Sequence, residues 1–384
     1  MSNTTAPVPL CDINARYQFL KPQIDAAILR VVASGQAILG PEVAAFEKEA
    51  AAFCGAEFAV GCGSGSDALV LALHALDIGP GDEVIIPPFT FFATAGAVCR
   101  VGATPVFVDI DPLTFNIDPA QIEAKVTSRT KAIIPVHLFG QCCEMDAIWE
   151  IAEEHRLFVV EDAAQSFGSD YKGRKCGALG AVAAMSFYPT KNLGAFGDAG
   201  LVTTNNPDID KKLRALRVHG SETKYYHKYV GYNMRLDAIH AAALRVQLPH
   251  VTNWLNRRIE AASRYDRLIE ESNLHGFMRR PVANPDRKHT FNQYVIRVPG
   301  THRDSLVKYL KESSVGVEVY YPLCLHEQEC FKSLGYWTGD FPTSEEAAAT
   351  VLALPMFPEI TESQQRRVMD VCAAYLSQSL RKAA

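Results

Sequence analysis

Short runs of apolar and β-branched residues alternate, along the first half of the chain, with stretches whose apolar positions recur at helical spacing. The apolar runs predict strands at residues 57–62, 83–87, 105–110, 132–137 and 157–162. The amphipathic stretches between them predict helices at residues 67–76, 93–101, 118–126 and 145–155. This alternation indicates a mostly parallel sheet that helices cover on both faces.

The second half of the chain follows a different pattern. Two apolar runs at residues 183–188 and 200–204 have no room for a helix between them, which predicts neighbouring strands joined by a loop. Residues 236–271 contain no glycine and one proline, Pro249, so we expect two helices or one kinked helix there. Beyond them the pattern predicts helices at 303–312 and 361–380, strands at 294–298 and 315–321, and a further apolar run at 351–356.

These patterns predict an α/β protein with two domains, because 384 residues exceed the size of one average domain. The large domain is assigned to residues 1–250, and residues 1–35 are expected to pack on its body as an N-terminal segment. A smaller C-terminal α/β domain is assigned to residues 251–384.

The composition is that of a globular protein, with 48% hydrophobic and 21% charged residues. The formal net charge of −5, without a long basic block, argues against a nucleic-acid partner. The N-terminus lacks the basic and apolar pattern of a signal peptide, and no apolar run approaches the roughly 18 residues of a membrane span. We therefore expect a cytoplasmic protein without a membrane partner.

The cysteines indicate reduced thiols and no metal site. Ten cysteines are scattered along the chain, and none forms a Cys-x-x-Cys pair. Cys324, His326 and Cys330 are close in sequence, but their spacing matches no standard zinc pattern and no fourth ligand is nearby. Packing within a loop explains these three residues better than a bound metal.

Lys191 and Asp162 are the two residues whose positions suggest chemistry. Lys191 lies between an apolar, strand-like stretch and a glycine-rich segment, where a surface charge is hard to explain. Asp162 ends a run that is typical of a buried strand. A lysine amine that can form a Schiff base and an acid that can hold a pyridinium nitrogen are the groups that pyridoxal 5′-phosphate (PLP) chemistry requires. The chain is therefore a candidate PLP enzyme.

A glycine- and serine-rich turn at residues 61–67 follows the first predicted strand and opens a helix. Its free N–H groups could bind a phosphate. The dinucleotide fingerprint G-x-G-x-x-G fails because Ser66 occupies the third glycine position, and no Gly-Lys-Ser/Thr follows. The simpler alternative is a helix N-cap, with Ser64 or Ser66 capping and Asp67 favoured by the helix dipole. Together with Lys191, phosphate binding is the better interpretation.

Seven short motifs occur in a fixed order along the chain. They occupy residues 34–42, 63–69, 87–94, 135–140, 161–165, 186–191 and 231–237. In this order they resemble the DegT/StrS-type sugar aminotransferases, and the resemblance covers nearly the whole chain from Tyr17 onward. It implies an aspartate-aminotransferase-like fold (PLP fold type I), with a large domain built on a mostly parallel mixed sheet and a smaller C-terminal α/β domain.

The resemblance also implies roles for individual residues. Lys191 would hold PLP as a Schiff base and carry the proton in catalysis, and Asp162 would hold the pyridine nitrogen. Gln165 would donate to the 3-hydroxyl oxygen, and Phe91 would stack on the ring unless it only packs in the core. The phosphate would be held by the backbone N–H groups of Ser66 and Asp67, by the Ser186 hydroxyl and, from the neighbouring subunit, by Asn233.

Asn233 thus implies a homodimer with a shared active site, although a turn residue would also explain an asparagine after Gly231. The implied reaction is a ping-pong transamination. L-glutamate would convert PLP to pyridoxamine 5′-phosphate (PMP), which would then aminate a keto sugar carried on a nucleoside diphosphate.

Candidate substrate residues are Tyr225, His227, Tyr321 and His326. The segment around Tyr225 and His227 resembles relatives that act on 3-keto sugars, but it also fits a solvated basic hairpin. His326 would contact the sugar or the pyrophosphate, or it would be an ordinary surface histidine.

Two alternatives to this function remain. The chain could be a regulatory or sensor protein that binds PLP without turnover, or it could catalyse another reaction of PLP fold type I. The first is disfavoured because the chain shows no added helix-turn-helix and no basic arm, and because all catalytic positions are intact.

Overall fold

The apolar runs of the first half of the chain assemble into one central sheet in the computed structural model, which describes residues 6–383. The strands, in chain order, are β1 (Phe58–Cys62), β2 (Glu83–Ile86), β3 (Thr104–Phe107), β4 (Thr130–Ile133), β5 (Phe158–Asp162), β6 (Asp170–Tyr171), β7 (Arg174–Lys175), β8 (Val182–Ser186), β9 (Gly200–Thr204), β10 (Ser221–Thr223), β11 (Tyr226–His227), β12 (Arg287–Lys288), β13 (Tyr294–Arg297) and β14 (Val351–Leu354).

The helices pack on both faces of the sheet and are also prominent in the second half of the chain. In chain order they are α1 (Ile13–Ser34), α2 (Pro41–Cys54), α3 (Gly65–Ala75), α4 (Ala93–Arg100), α5 (Met145–His155), α6 (Pro207–Leu216), α7 (Ala238–Gln247), α8 (Val251–Glu271), α9 (Gly300–Glu312), α10 (Pro342–Thr350) and α11 (Glu362–Ala383). None of the helices in the described residues combines the length and the apolar character needed to cross a membrane.

The central sheet has seven strands in the order β1-β9-β8-β5-β4-β2-β3. The pairs from β8 through β5, β4 and β2 to β3 are parallel, whereas β9 runs antiparallel to both β8 and β1. The mostly parallel sheet predicted from the sequence is therefore confirmed, and so is the direct pairing of the two apolar runs that flank Lys191.

Successive residues of one strand belong to hydrophobic cores on opposite faces of the sheet. Ile85 packs in the core under α1, α2, α5 and α7, while Val84 and Ile86 pack in the core under α3, α4 and α6. A sheet buried on both faces needs apolar residues at consecutive positions, which is why these strands have continuous apolar runs.

The C-terminal part of the chain forms a smaller α/β unit. The antiparallel pair of β13 and β14 packs against α8, α9 and α11 around a third core. The break predicted at Pro249 is present, because a 3-10 turn at Leu248–His250 separates α7 from α8. A proline cannot donate the helical hydrogen bond, so the chain changes direction there.

The helix predicted at residues 118–126 is wrong. Two short 3-10 helices, Pro119–Gln121 and Glu123–Lys125, replace it, and neither buries a side chain. Ile122 between them is the buried apolar residue of this stretch. One buried side chain, with Val126 partly buried against the same core, does not provide the continuous apolar face that stabilises an α-helix by tertiary packing.

The strand predicted at residues 315–321 is also wrong. Its backbone hydrogen bonds are divided between two neighbours: Gly316 N–H donates to Val8 O at 2.8 Å, and Ala353 N–H donates to Glu318 O at 2.8 Å. Each neighbour forms only an isolated bridge with the segment. Because the partners lie at different positions along the segment, no continuous ladder forms with either.

A buried ion cluster holds the end of β1, just before the glycine-rich turn. The Glu47 carboxylate accepts from the Gly61 N–H at 2.9 Å and from the guanidinium groups of Arg214 and Arg217 at 2.8 and 2.5 Å. Arg217 also donates to Gly61 O at 2.8 Å. Glu47 and Arg217 are both buried. Helices α2 and α6 are thereby tied to the strand that leads into the turn.

We expect Glu47→Ala to lower the free energy of unfolding by about 3 kcal/mol or more, because it leaves a buried guanidinium without its carboxylate. Urea unfolding of the purified protein measures this. The matched control is Glu49→Ala on the same helix, which removes an exposed ion pair with Arg245 and should cost less than about 1 kcal/mol. Equal losses in the two variants would contradict this role for the cluster.

Candidate active site

The register of three neighbouring strands places the predicted site residues at one edge of the sheet. In the ladder, Gly200 pairs with Cys62 on one side and with Ser186 on the other. The glycine-rich turn after Cys62 therefore begins beside the end of β8. Strand β5 runs parallel to β8, so Asp162 ends at the same edge. Ligands of open α/β sheets bind outside the carboxyl ends of parallel strands.

The backbone that carries Lys191 is fixed from several parts of the chain. Both terminal guanidinium nitrogens of Arg16, on α1, donate to Lys191 O at 3.3 Å. The neighbouring Asn192 amide donates to Phe167 O at 3.2 Å and to the Thr290 hydroxyl at 3.1 Å. Arg16 is itself buried and lies over the Trp254 ring at 4.9 Å. The loop is therefore held in place, and no motif in the sequence indicated Arg16 for this role.

Burial lowers the pKa of the Lys191 amine to about 8, and the negative charge of Asp162 opposes that shift. A larger fraction of this amine is therefore neutral near neutral pH than of an ordinary lysine. Only the neutral amine has the lone pair that attacks a carbonyl carbon, so Lys191 is activated as a nucleophile.

Asp162 is a buried carboxylate with a donor on each oxygen. The Thr94 hydroxyl donates to Oδ2 at 2.7 Å, and the Ala164 N–H donates to Oδ1 at 3.3 Å. Burial raises the pKa of Asp162, while these two hydrogen bonds and the charges of Lys191 and His137 act in the opposite direction. Sequence reasoning missed Thr94, although it ends the motif at residues 87–94.

Gln165 joins the large domain to a segment of the C-terminal half. Its side-chain oxygen accepts from the Phe139 N–H at 2.7 Å, and its amide nitrogen donates to the Tyr321 hydroxyl at 3.0 Å. Burial raises the pKa of Tyr321, so its hydroxyl stays protonated. The Tyr321 ring lies 6.1 Å from that of Phe91, which is 56% exposed. The structure thus brings Gln165, Tyr321 and Phe91 together around Asp162.

The glycine-rich turn lies directly over Ser186. A Cβ on Gly65 would come within 2.7 Å of the Ser186 Cβ, so only glycine allows this approach. The Asp67 N–H is already engaged by the Ser64 hydroxyl at 3.0 Å, which is the N-cap that the sequence offered as an alternative. In the described part of the chain, the N–H groups of Gly65 and Ser66 have no protein acceptor. The cap therefore does not exclude a bound anion at this turn, and Gly65 joins Ser66 as a candidate donor.

Asn233 is exposed and lies on a segment that pairs with Val218. Within the described residues, its side chain makes no hydrogen bond to another candidate site residue. Among the residues that the structure describes, the Asn233 side chain therefore makes no contact with the rest of the candidate site by hydrogen bonding.

The remaining candidate substrate residues lie apart from this group. Tyr225 is 81% exposed at the tip of the β10–β11 hairpin, and the His227 ring bonds to His219 O at 2.9 Å. His326 is buried instead, where its Nε2 lies 3.1 Å from the Glu345 carboxylate and its ring packs on Phe341. The structure therefore gives His326 a role in packing, which an apolar-polar pattern in a loop could not reveal.

Comparison with known proteins identifies similar sequences and structures along the whole chain. A pleiotropic regulatory protein of Geobacillus stearothermophilus is 51% identical over 96% of this chain and 98% of its own length. The dTDP-3-amino-3,4,6-trideoxy-alpha-D-glucose transaminase of Streptomyces venezuelae is 43% identical over 95% of each chain. The crystal structure of S. venezuelae DesV in complex with a ketimine intermediate superposes with a TM-score of 0.93, at 42% identity, over 97% of this chain and 99% of that one.

The structural match confirms the PLP fold type I architecture that the resemblance implied. The model of the DegT/DnrJ/EryC1/StrS aminotransferase family matches residues 19–373. By this match and by the similarity of its relatives along their full length, the chain belongs to the DegT/DnrJ/EryC1/StrS aminotransferase family.

Proposed function

We propose that this protein is a PLP-dependent aminotransferase that transfers the amino group of L-glutamate to the keto sugar of a nucleoside-diphosphate sugar. Such a reaction serves amino-sugar and polysaccharide biosynthesis. The observation that carries the proposal is the pairing of an activated Lys191 amine with the buried Asp162 carboxylate at the ligand-binding edge of the sheet. This pair supplies an attachment point and a counter-charge for one aromatic cofactor.

The residues of the site fit PLP in each part of the cofactor. Lys191 would bind its aldehyde carbon, Asp162 its ring nitrogen and Gln165 its 3-hydroxyl oxygen. Phe91 would cover one ring face. Donors suited to the phosphate are the free N–H groups at the start of α3 and the Ser186 hydroxyl; the Asp67 N–H could contribute by sharing its bond to Ser64. When bound, PLP acts as an electron sink for a substrate carbanion.

The protein's own groups would then control proton movement. Once it is free of the cofactor, the Lys191 amine on this anchored loop would act as general base and acid. Asp162 would keep the ring nitrogen protonated, because a carboxylate with two donors remains a charged acceptor. The same residues would serve both halves of a ping-pong reaction, one releasing 2-oxoglutarate and one releasing the amino sugar.

The substrate class is supported by the relatives. The S. venezuelae transaminase is named for a 3-amino sugar carried on dTDP. This name favours a substrate for the present protein whose ketone is at C3 of the sugar. The exposed Tyr225 and His227 lie on a hairpin whose neighbours Lys224 and Lys228 could attract a pyrophosphate.

A regulatory role is the second candidate, because the relative with 51% identity is named a pleiotropic regulatory protein. The two candidates differ in turnover and not in cofactor binding. The relative from S. venezuelae is named a transaminase, and this agrees with the intact set of Lys191, Asp162, Gln165 and Ser186 in favouring the enzyme.

The purified protein loaded with PLP should absorb near roughly 410–430 nm, and L-glutamate should move the band to roughly 330 nm. A keto sugar on a nucleoside diphosphate should then restore the first band. Lys191→Ala should lose the long-wavelength band and all turnover, whereas the exposed Lys175→Ala should behave as the wild type. A band that no amino donor changes would favour the regulatory role, and turnover by Lys191→Ala would refute the assignment.

The rate at which the cofactor-free protein captures PLP should rise about tenfold per pH unit and level off above about pH 8, because only the neutral Lys191 amine reacts. Asp162→Asn removes the charge that favours the ammonium form, so its plateau should begin at a lower pH. Stopped-flow absorbance at a series of pH values measures both. A rate that keeps rising to pH 10 would show an ordinary lysine.

Asn233→Ala should weaken PLP binding by about 10-fold or more, because it removes a hydrogen bond to a charged phosphate. If the residue acts across a homodimer, mixed dimers of Asn233→Ala and Lys191→Ala subunits should regain one complete site. Titration of such mixtures with PLP should then show tight binding at a fraction of the sites. Mixtures that bind no better than Asn233→Ala alone would rule out the shared site.

A further inference from the structure

Two threonines lie on the turn between β2 and α4, within the motif at residues 87–94. The function proposed above uses only Phe91 from this motif. Thr90 and Thr94 are both buried, and their hydroxyl oxygens are 3.2 Å apart. Thr94 in turn donates to Asp162 Oδ2 at 2.7 Å. A continuous line of hydroxyl groups therefore ends on the carboxylate that faces the proposed cofactor.

The direction of these hydrogen bonds is fixed by the carboxylate. An ionised carboxylate only accepts, so the single hydroxyl proton of Thr94 must point to Asp162. The Thr94 oxygen can then act only as acceptor toward Thr90, which donates its own proton. Both hydroxyl dipoles consequently point toward Asp162 and stabilise its negative charge at a buried position.

Each Asp162 oxygen thus has one protein donor, Thr94 on Oδ2 and the Ala164 N–H on Oδ1. A carboxylate has about four acceptor positions, so lone pairs remain for a ring nitrogen. The two donors also fix the plane of the carboxylate, since rotation would break both bonds. Thr94 holds Asp162 in a defined orientation without touching the substrate.

We propose that Thr94, supported by Thr90, is a positioning residue that orients the Asp162 carboxylate and keeps it ionised opposite the cofactor ring. This inference rests on the proposed PLP function. The same turn carries Phe91. A single loop would therefore cover one face of the cofactor ring and, through Asp162, keep the ring nitrogen protonated.

Three other titratable groups face Asp162 from the elements packed around it. They are Lys191 on the β8–β9 loop, His137 after β4 and Tyr321 from the C-terminal half. Lys191 and His137 favour the carboxylate, while Tyr321 stays neutral because burial raises its pKa. All three remain in place when Thr94 is replaced, so the threonine's effect can be measured separately.

The test compares Thr94→Val, which removes the hydroxyl at nearly constant volume, with Thr94→Ser, which keeps it. Each full-length variant is loaded with PLP, and its visible absorbance is titrated against pH. In Thr94→Val the Asp162 carboxylate is less stabilised, so it takes a larger share of the proton on the cofactor's ring nitrogen. The pH at the midpoint of the change in visible absorbance should therefore rise by about one unit. PLP affinity should fall by about 10-fold. Thr94→Ser should restore both values to nearly those of the wild type.

An unchanged midpoint in Thr94→Val would overturn the proposal, and so would equal losses in Thr94→Val and Thr94→Ser, which would point to the methyl group and packing. If Thr94→Val does not fold, Thr90→Val provides the second test. It removes the donor behind Thr94, and its midpoint should shift in the same direction by a smaller amount; no shift would again overturn the proposal. A wild-type protein that shows no band with PLP would instead refute the proposed function itself.

Discussion

Lys191 and Asp162 lie in surroundings that disfavour charge on both, and the rest of the site is arranged around that conflict. Burial lowers the pKa of the lysine and raises that of the aspartate, while each charge favours the other. Loss of either partner would leave a desolvated charge or a neutral group without function. The Thr94 hydroxyl and the Ala164 N–H donate to Asp162 and favour its ionised form. Of the two groups, Lys191 is then the one that can lose its proton.

The scaffold holds these groups by backbone contacts as much as by side chains. Strand register sets Ser186 beside the glycine-rich turn, and Arg16 fixes the Lys191 carbonyl from a helix far away in sequence. Glu47 and Arg217 hold the strand that enters the turn. Each of these anchors is buried, so the site is built on a rigid base, and motion is left to the lysine side chain. Such preorganisation is what electrostatic catalysis requires.

The strands of the first half followed from the sequence because a sheet buried on both faces imposes continuous apolar runs. The sequence-based prediction failed for two segments that no single neighbouring element stabilises along their whole length. Residues 118–126 have helical spacing but fully bury only Ile122, with Val126 half-buried, and residues 315–321 divide their hydrogen bonds between Val8 and Ala353. The sequence leaves an N-cap at Ser64 and phosphate binding at the same turn as alternatives. The structure leaves room for both, because the cap uses the Asp67 N–H and a phosphate would use those of Gly65 and Ser66.

The sequence by itself determined the fold class and the family, and it predicted roles for Lys191, Asp162, Gln165 and Ser186, since these depend on residue type and local order. Only the tertiary structure decided which distant groups act on them. Arg16, Thr94 and Tyr321 reach the site from three separate segments, and His326 turns inward to Glu345. Hydrogen bonds between segments far apart in the chain depend on where the packed helices and strands bring them, and one sequence contains no periodic signal for that placement.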